Sequence, residues 1–382
     1  MSTVSHVADE ATVIQRLFDH IDNRTTDLGE RTWEEPVANY RCPERLAAEL
    51  EVVRTRPVPF CTSSALPESG SYVARDAAGT PLLAVRGADG AVQVFRNACR
   101  HRGAQLASGE GCARGLACRY HGWTYALDGS LLKVPHEHGF PGLDKSTHGL
   151  VEVSSCERLG VVFVDQAGGN AVLPELACVD ELIPPGLTHV ATTDRIVAAN
   201  WKIFMEGFLE GYHIRTTHAR TFYPVQYDNL NVIETFGTSA RVAFPYQAIE
   251  KLRDVPAAER RAQGKLTFVY HFFPNAIVAT FPGSTLLAVL EPIDLQSTRL
   301  FTYVSVTPGS DAQNAAGPEP SGQKRGFDLV DAGTAEDREM AESVQRGLAS
   351  RANEAFRFGL FEQAIVHFHA NLHAALAART SD

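Results

Sequence analysis

The chain has 382 residues, 44% hydrophobic and 21% charged, with a formal net charge of −10. That length suffices for a sizeable core and two or three domains, and the acidic balance excludes the basic face that nucleic-acid binding requires. No apolar run reaches the roughly eighteen residues of a membrane span, the N-terminal MSTVSHVADEATVIQRLFDH lacks the order of a secretory signal, and seven cysteines spread over a long chain are not a secreted disulfide framework, so a reducing, cytoplasmic setting is expected.

In chain order, residues 10–53 read as helical, with Val13, Leu17 and Ile21 spaced by four. The character changes near Pro57. From there to about residue 165, short β runs (SYVAR, PLLAVR, AVQVFRN, GVVFVD) alternate with turn residues, the pattern of a small antiparallel β domain. Residues 195–218 carry Phe204, Phe208 and then Tyr212 at helical spacing. Further β runs follow (LTFVYHFF, AIVATF, TLLAVLEPI, RLFTYVSVT), as in an antiparallel sheet. The stretch 309–326, rich in Gly, Pro and Ser, is expected to be a mobile loop and a candidate cover for a site entrance. Helices from about 335 to 378 close the chain. The expected class is α+β, divided into a helical segment 1–56 that packs with the last domain, a β domain 57–165 and a domain 166–382.

The β domain holds Cys99-x-His101 and later Cys118-x-x-His121. Two such clusters can close on one centre from facing loops. A Cys₂His₂ set also suits zinc, but zinc fingers pair Cys with Cys and His with His. One of each per cluster fits two irons, one held by Cys99 and Cys118, the other by His101 and His121. Gly103, Gly109, Gly111 and Gly122 permit tight loops, and Asp128-Gly129 offers a hairpin turn. Cys112 lies off the motif, and Cys42, Cys61, Cys156 and Cys178 read as small buried residues. FRNACRHRGAQL and LACRYHGWTYALDGSLLKVPH together resemble the Rieske [2Fe–2S] domain of ring-hydroxylating oxygenases over roughly 57–165.

The segment NWKIFMEGFLEGYHIRTTH offers a second centre. Glu210 and His213 are three apart and share a helix face, and Glu206 lies two turns back on that face. His218 lies off it, so the helix must end or bend near Ile214–Thr217 for both imidazoles to meet one ion. Two His and one carboxylate with open positions is the set expected of a non-haem Fe(II) oxygenase. In GTAEDREMAESVQRGL, Asp337 is placed near a helix start, with Met340 and Val344 continuing an inward face. Spacing alone supports both a metal ligand and a capping-box variant with Thr334.

NWK followed by YH-x-x-x-x-H resembles the catalytic domain of the same Rieske non-haem iron oxygenases, the alpha subunits of the aromatic-ring-hydroxylating family. The resemblance implies a helix-grip catalytic domain with mononuclear iron on His213, His218 and Asp337. It also implies that Glu210 links His213 to His121 of the partner subunit in a head-to-tail homotrimer without a small β subunit. Two departures stand out. Glu210 replaces the family's usual Asp, as in the branch similar to carnitine and quaternary-ammonium oxygenases, and Gly207 replaces a frequent Asn. No nicotinamide or flavin fingerprint is present, so a separate flavin/iron–sulfur reductase, with or without a ferredoxin, must use NADH or NADPH and deliver electrons. The implied function is hydroxylation, dihydroxylation or oxidative demethylation of an aromatic or quaternary ammonium substrate. The alternatives are a Rieske electron-transfer protein or a helix-grip ligand binder, both without the mononuclear iron. Phe204, Phe208, Phe222, Tyr223, Phe272, Phe273 and Phe281 are candidates for an apolar pocket, a cation–π cage or core. His136 and His138 read as a surface turn, and His367, His369 and His373 as packing or surface residues of the last helix.

Overall fold

The computed structural model describes residues 6–309 and 325–379. Residues 310–324, the body of the expected cover, lie outside the described residues. The chain divides into two compact units, 1–52 with 174–382, and 53–173.

In the first unit, the expected long N-terminal helix is two: α1 (Glu10–Asn23) and α2 (Pro43–Arg54), separated by a strand at Trp33–Pro36. Asp9 caps α1, and Val13, Ile14, Leu17 and Phe18 bury its apolar face. The strand pairs antiparallel with Ala355–Phe358 near the other end of the chain. Next come α3 (Trp201–Gly207), the single turn α4 (Ile214–Thr217), α5 (Arg325–Gly347) and α6 (Gln363–Arg379). Seven antiparallel strands form the sheet, in the order Thr188–Val197, Thr298–Val306, Ser284–Pro292, Ala276–Phe281, Leu266–Phe272, Ser239–Pro245 and Val232–Phe236. Tyr40, Trp201, Phe204, Phe273 and Phe368 fill the core of this unit.

The NWK triplet anchors the site helix. Asn200 caps α3 by accepting from the Lys202 N–H, and its amide donates to the carbonyls of Tyr40 and Leu295. Trp201 is fully buried and donates through Nε1 to Glu49 at 2.9 Å. Lys202, also buried, lies 2.7 Å from the same carboxylate.

The second unit holds a seven-stranded antiparallel sheet and a small three-stranded one built from Leu116–Ala117, Thr124–Tyr125 and Leu131–Lys133. A Cβ on Gly111 would lie 2.5 Å from the Tyr72 hydroxyl, so the strand Gly109–Cys112 passes under that ring only with glycine there. No helix among the described residues is long and apolar enough to cross a membrane.

Candidate metal centres

Two loops in the second unit repeat one hydrogen-bond pattern. The Cys99 N–H donates to the Ala104 carbonyl and the Gly103 N–H to the Cys99 carbonyl, both at 2.8 Å. Likewise the Cys118 N–H donates to the Trp123 carbonyl at 2.8 Å and the Gly122 N–H to the Cys118 carbonyl at 2.9 Å. Gly103 and Gly122, each fourth after its cysteine, take φ of +76° and +75°, which other residues rarely adopt. The loops hold Cys99 and Cys118 buried as free thiols. The His101 and His121 rings lie nearer the surface with centroids 4.7 Å apart. His101 stacks on Trp123 at 5.0 Å. The Tyr125 hydroxyl accepts the Arg100 N–H, so its proton is free for Cys99 Sγ at 3.3 Å. Two inner thiols and two outer imidazoles from facing loops fit a [2Fe–2S] cluster, and a hydrogen bond to sulfur is one of the levers on its potential. Tyr125 lies within the matched segment, but its role could not be read there, since it depends on the Cys99 loop closing over it. Cys112 is exposed, and Cys42 and Cys156 are only partly buried, unlike Cys61 and Cys178.

In the first unit the helix breaks earlier than spacing predicts. It ends at Gly207, and the turn Ile214–Thr217 placed at the bend is instead helical. Beyond the break, the Glu210 carboxylate accepts the backbone N–H groups of Tyr212 and His213 at the start of that turn. Glu206 consequently turns away from His213 and bonds to Tyr40 and His369. With the chain folded back, His213 and His218 bring their Nε2 atoms to 3.1 Å. Asp337 Oδ1 lies 2.9 Å from His218 Nε2 and 3.5 Å from His213 Nε2. Asp337 lies well inside α5 rather than near its start, and Thr334 donates to the Val330 carbonyl, which removes the capping alternative. Met340 and Val344, expected to face inward, are exposed in the chain.

Each imidazole presents its other nitrogen to a carboxylate. His213 Nδ1 donates to Glu210 at 2.5 Å, and His218 Nδ1 donates to Glu336 at 2.8 Å, where the Thr221 hydroxyl also donates. Both Nε2 lone pairs are therefore aimed inward at one carboxylate oxygen. Burial disfavours the His213 cation, but Glu210 and Asp337 outweigh it and raise its pKa to about 10. Burial likewise works against the Asp337 carboxylate, yet the two imidazoles hold it below the usual range. Three donor atoms within 4.8 Å of one another thus converge where a divalent cation would balance the carboxylate charge. Glu336 and Thr221 carried no motif signal, since their role depends on α5 meeting the 213–221 loop.

The cavity beside these atoms is lined by Phe208, Phe222, Phe244 and Phe281, by Gln226, Thr267 and Thr334, and by Glu210 and the three convergent residues themselves. Of the other candidate aromatics, Phe204, Phe272 and Phe273 are core, and Tyr223 lies under the Arg215 guanidinium at 5.9 Å.

Residues 185–378 match the ring hydroxylating alpha subunit (catalytic domain) family, and residues 56–150 match the Rieske [2Fe–2S] domain. The chain belongs to this oxygenase family. It is similar to the glycine betaine monooxygenase oxygenase subunit of Chromohalobacter salexigens, 26% identical over 375 residues, covering 86% of this chain and 83% of that protein. It is 30% identical over 309 residues to the large oxygenase component of the naphthalene 1,2-dioxygenase system of Pseudomonas fluorescens, covering 68% of each. Its fold resembles that of the quaternary ammonium Rieske monooxygenase CntA with a bound inhibitor, at a TM-score of 0.75 and 21% identity, covering 98% of this chain and 99% of that one.

As a Rieske oxygenase, the chain is an enzyme with a [2Fe–2S] cluster and a mononuclear iron, served by a separate electron-delivering partner. That sets aside the readings without the second iron. The α+β class and the helix-grip catalytic domain follow from the same matches.

Proposed function

We propose that Cys99, His101, Cys118 and His121 hold the cluster, that His213, His218 and Asp337 hold the catalytic iron, and that the substrate is a small molecule with an uncharged, apolar ring. The convergence of three donor atoms beside a phenylalanine-walled cavity carries this reading. When bound, the cluster supplies electrons singly and the iron supplies O₂ activation. Glu210 and Glu336 keep the Nδ1 protons, so both Nε2 atoms serve as donors. The phenylalanines hold the apolar body and exclude water. Gly207 leaves open space where a Cβ would otherwise project. No Lys, Arg, Trp or Tyr lines this cavity among the described residues, so the carboxylate of a zwitterion finds no basic or aromatic hydroxyl partner there.

Glu210 also serves as the inter-subunit bridge to His121 of the partner subunit in a head-to-tail trimer, working in the cytoplasm. The trimer is checked by sedimentation equilibrium.

Two measurements test the site. The parent should hold one iron beyond its cluster, and Asp337→Ala should keep the cluster's visible spectrum while losing that iron and turnover. An Asp337→Ala protein that keeps both would overturn the ligand set. With a reductase supplied, naphthalene and indole should stimulate oxygen consumption more than carnitine or glycine betaine; the reverse order would overturn the substrate class.

A further inference from the structure

A buried polar chain runs from the protein surface to the site, and the roles given so far leave it unused. It begins at His373 on α6, whose side chain is 37% exposed. His373 Nε2 lies 2.9 Å from Glu35 Oε2, and Glu35 is fully buried. The same Glu35 oxygen lies 3.5 Å from Nδ1 of His369, also fully buried. On the other side of that ring, His369 Nε2 lies 2.9 Å from Glu206 Oε1. Glu206, with Glu210, His213 and Asp337, lines a cavity of about 350 Å³.

The donors around the chain are arranged around His369. The Tyr40 hydroxyl donates to Glu206 at 2.6 Å and lies 3.4 Å from His369 Nε2. Glu35 also accepts from Trp33 and Asn39, and Arg45 lies 3.6 Å from it. Lys202 and the Arg45 Nε are held by Glu49. The remaining neighbours of the ring are Phe358, stacked at 5.5 Å, and Phe368. His369 is thus a buried imidazole with a carboxylate facing each nitrogen. Nδ1 has no hydrogen-bond partner apart from the slightly long approach to Glu35.

We propose that His373, Glu35, His369 and Glu206 conduct protons from solvent to the cavity beside the catalytic iron, with His369 as the proton-transferring residue. Reduction of one O₂ with two electrons consumes two protons, whether one oxygen atom or both enter the substrate. A proton from water binds His373 and moves through Glu35 to His369 Nδ1. The ring then releases the proton on Nε2 to Glu206, so one proton enters as one leaves. The inference rests on the metal site proposed above.

The test mixes the loaded enzyme, already chemically reduced, with oxygen and whichever of naphthalene or glycine betaine stimulates oxygen consumption, in weak buffer. A pH-indicating dye then reads proton uptake directly, and the cluster's absorbance reads the preceding reduction. His369→Gln keeps a polar side chain but cannot relay, and His373→Ala removes only the exposed entry. Both should slow uptake at least about tenfold while reduction and the thermal midpoint stay unchanged. Added imidazole should restore uptake in His373→Ala. Uptake at the parental rate in both variants would overturn the relay, and if His369→Gln fails to fold, parental uptake in His373→Ala alone does so. A parent without the iron beyond its cluster overturns the site reading and the relay together, so metal content separates the two failures.

Discussion

Glu210 shows how much one side chain can decide. Its carboxylate accepts from His213 Nδ1 and from the N–H groups of Tyr212 and His213. One residue therefore holds the backbone at the start of the turn that carries both imidazoles, fixes the tautomer of a proposed metal ligand and carries the charge proposed to bridge subunits. Glutamine keeps the length but offers one acceptor oxygen, and its amide nitrogen would face N–H donors. For Glu210→Gln we expect an intact cluster spectrum, iron affinity weakened by roughly 10–100-fold, and a cluster that stays reduced when oxygen and substrate are added. Stopped-flow absorbance of the cluster, with metal titration alongside, measures both. Normal reoxidation would remove the bridging role and leave the positioning one. Aspartate restores the charge but shortens the reach, so Glu210→Asp should fall between the two.

At the scale of elements, the site depends on α5 lying against the 213–221 loop, where Gly333 faces the Phe222 ring. A Cβ on Gly333 would come within 2.3 Å of the Phe222 ring, which is itself packed edge-on to His218 at 4.8 Å. Gly333→Ala, one turn before Asp337, should lift α5 from the loop, cost roughly 1–3 kcal/mol and weaken iron binding while sparing the cluster. Thermal unfolding and metal analysis check this, and a variant with parental iron content would show that the helix can re-seat. The same junction explains what could be read from the chain alone. His213 and His218 were legible because a turn and a loop place them within a few residues of each other, and the paired Cys/His loops were legible for the same reason. Asp337 needed the family pattern, because the local signal was ambiguous between ligand and cap. Glu336 and Thr221 were not legible, since their partnership joins residues 115 apart in the chain. The strands of both sheets stood out as runs broken by turn residues, whereas the helix break at Gly207 was misplaced because the spacing of His213 and His218 alone drew it to Ile214–Thr217.

At the scale of the whole molecule, one buried histidine ties folding of the catalytic unit to pH. His271 sits on the strand Leu266–Phe272, fully buried, with its ring edge-on to Phe368 of α6 at 5.4 Å. Nε2 lies 3.3 Å from the Pro274 carbonyl. Burial foremost, helped by His367, depresses its pKa to about 3 from an ordinary 6.5. The unfolded chain therefore binds a proton below about pH 6.5 that the folded chain refuses until about pH 3. Stability contributed by the neutral ring is complete above the upper value and declines as pH falls through that window, by up to roughly 4–5 kcal/mol. Glu35, held down to about 2 against its burial by hydrogen bonds from His373, Trp33 and Asn39, adds a second loss at lower pH, from about 4.5 downward. The two windows separate the groups experimentally. His271→Gln should lose some stability at neutral pH through imperfect packing, yet fall less steeply than the parent between pH 6.5 and 4.5. Denaturant unfolding across that range measures the difference, and parallel curves for the two proteins would show that the buried imidazole does not set the acid limit of this fold.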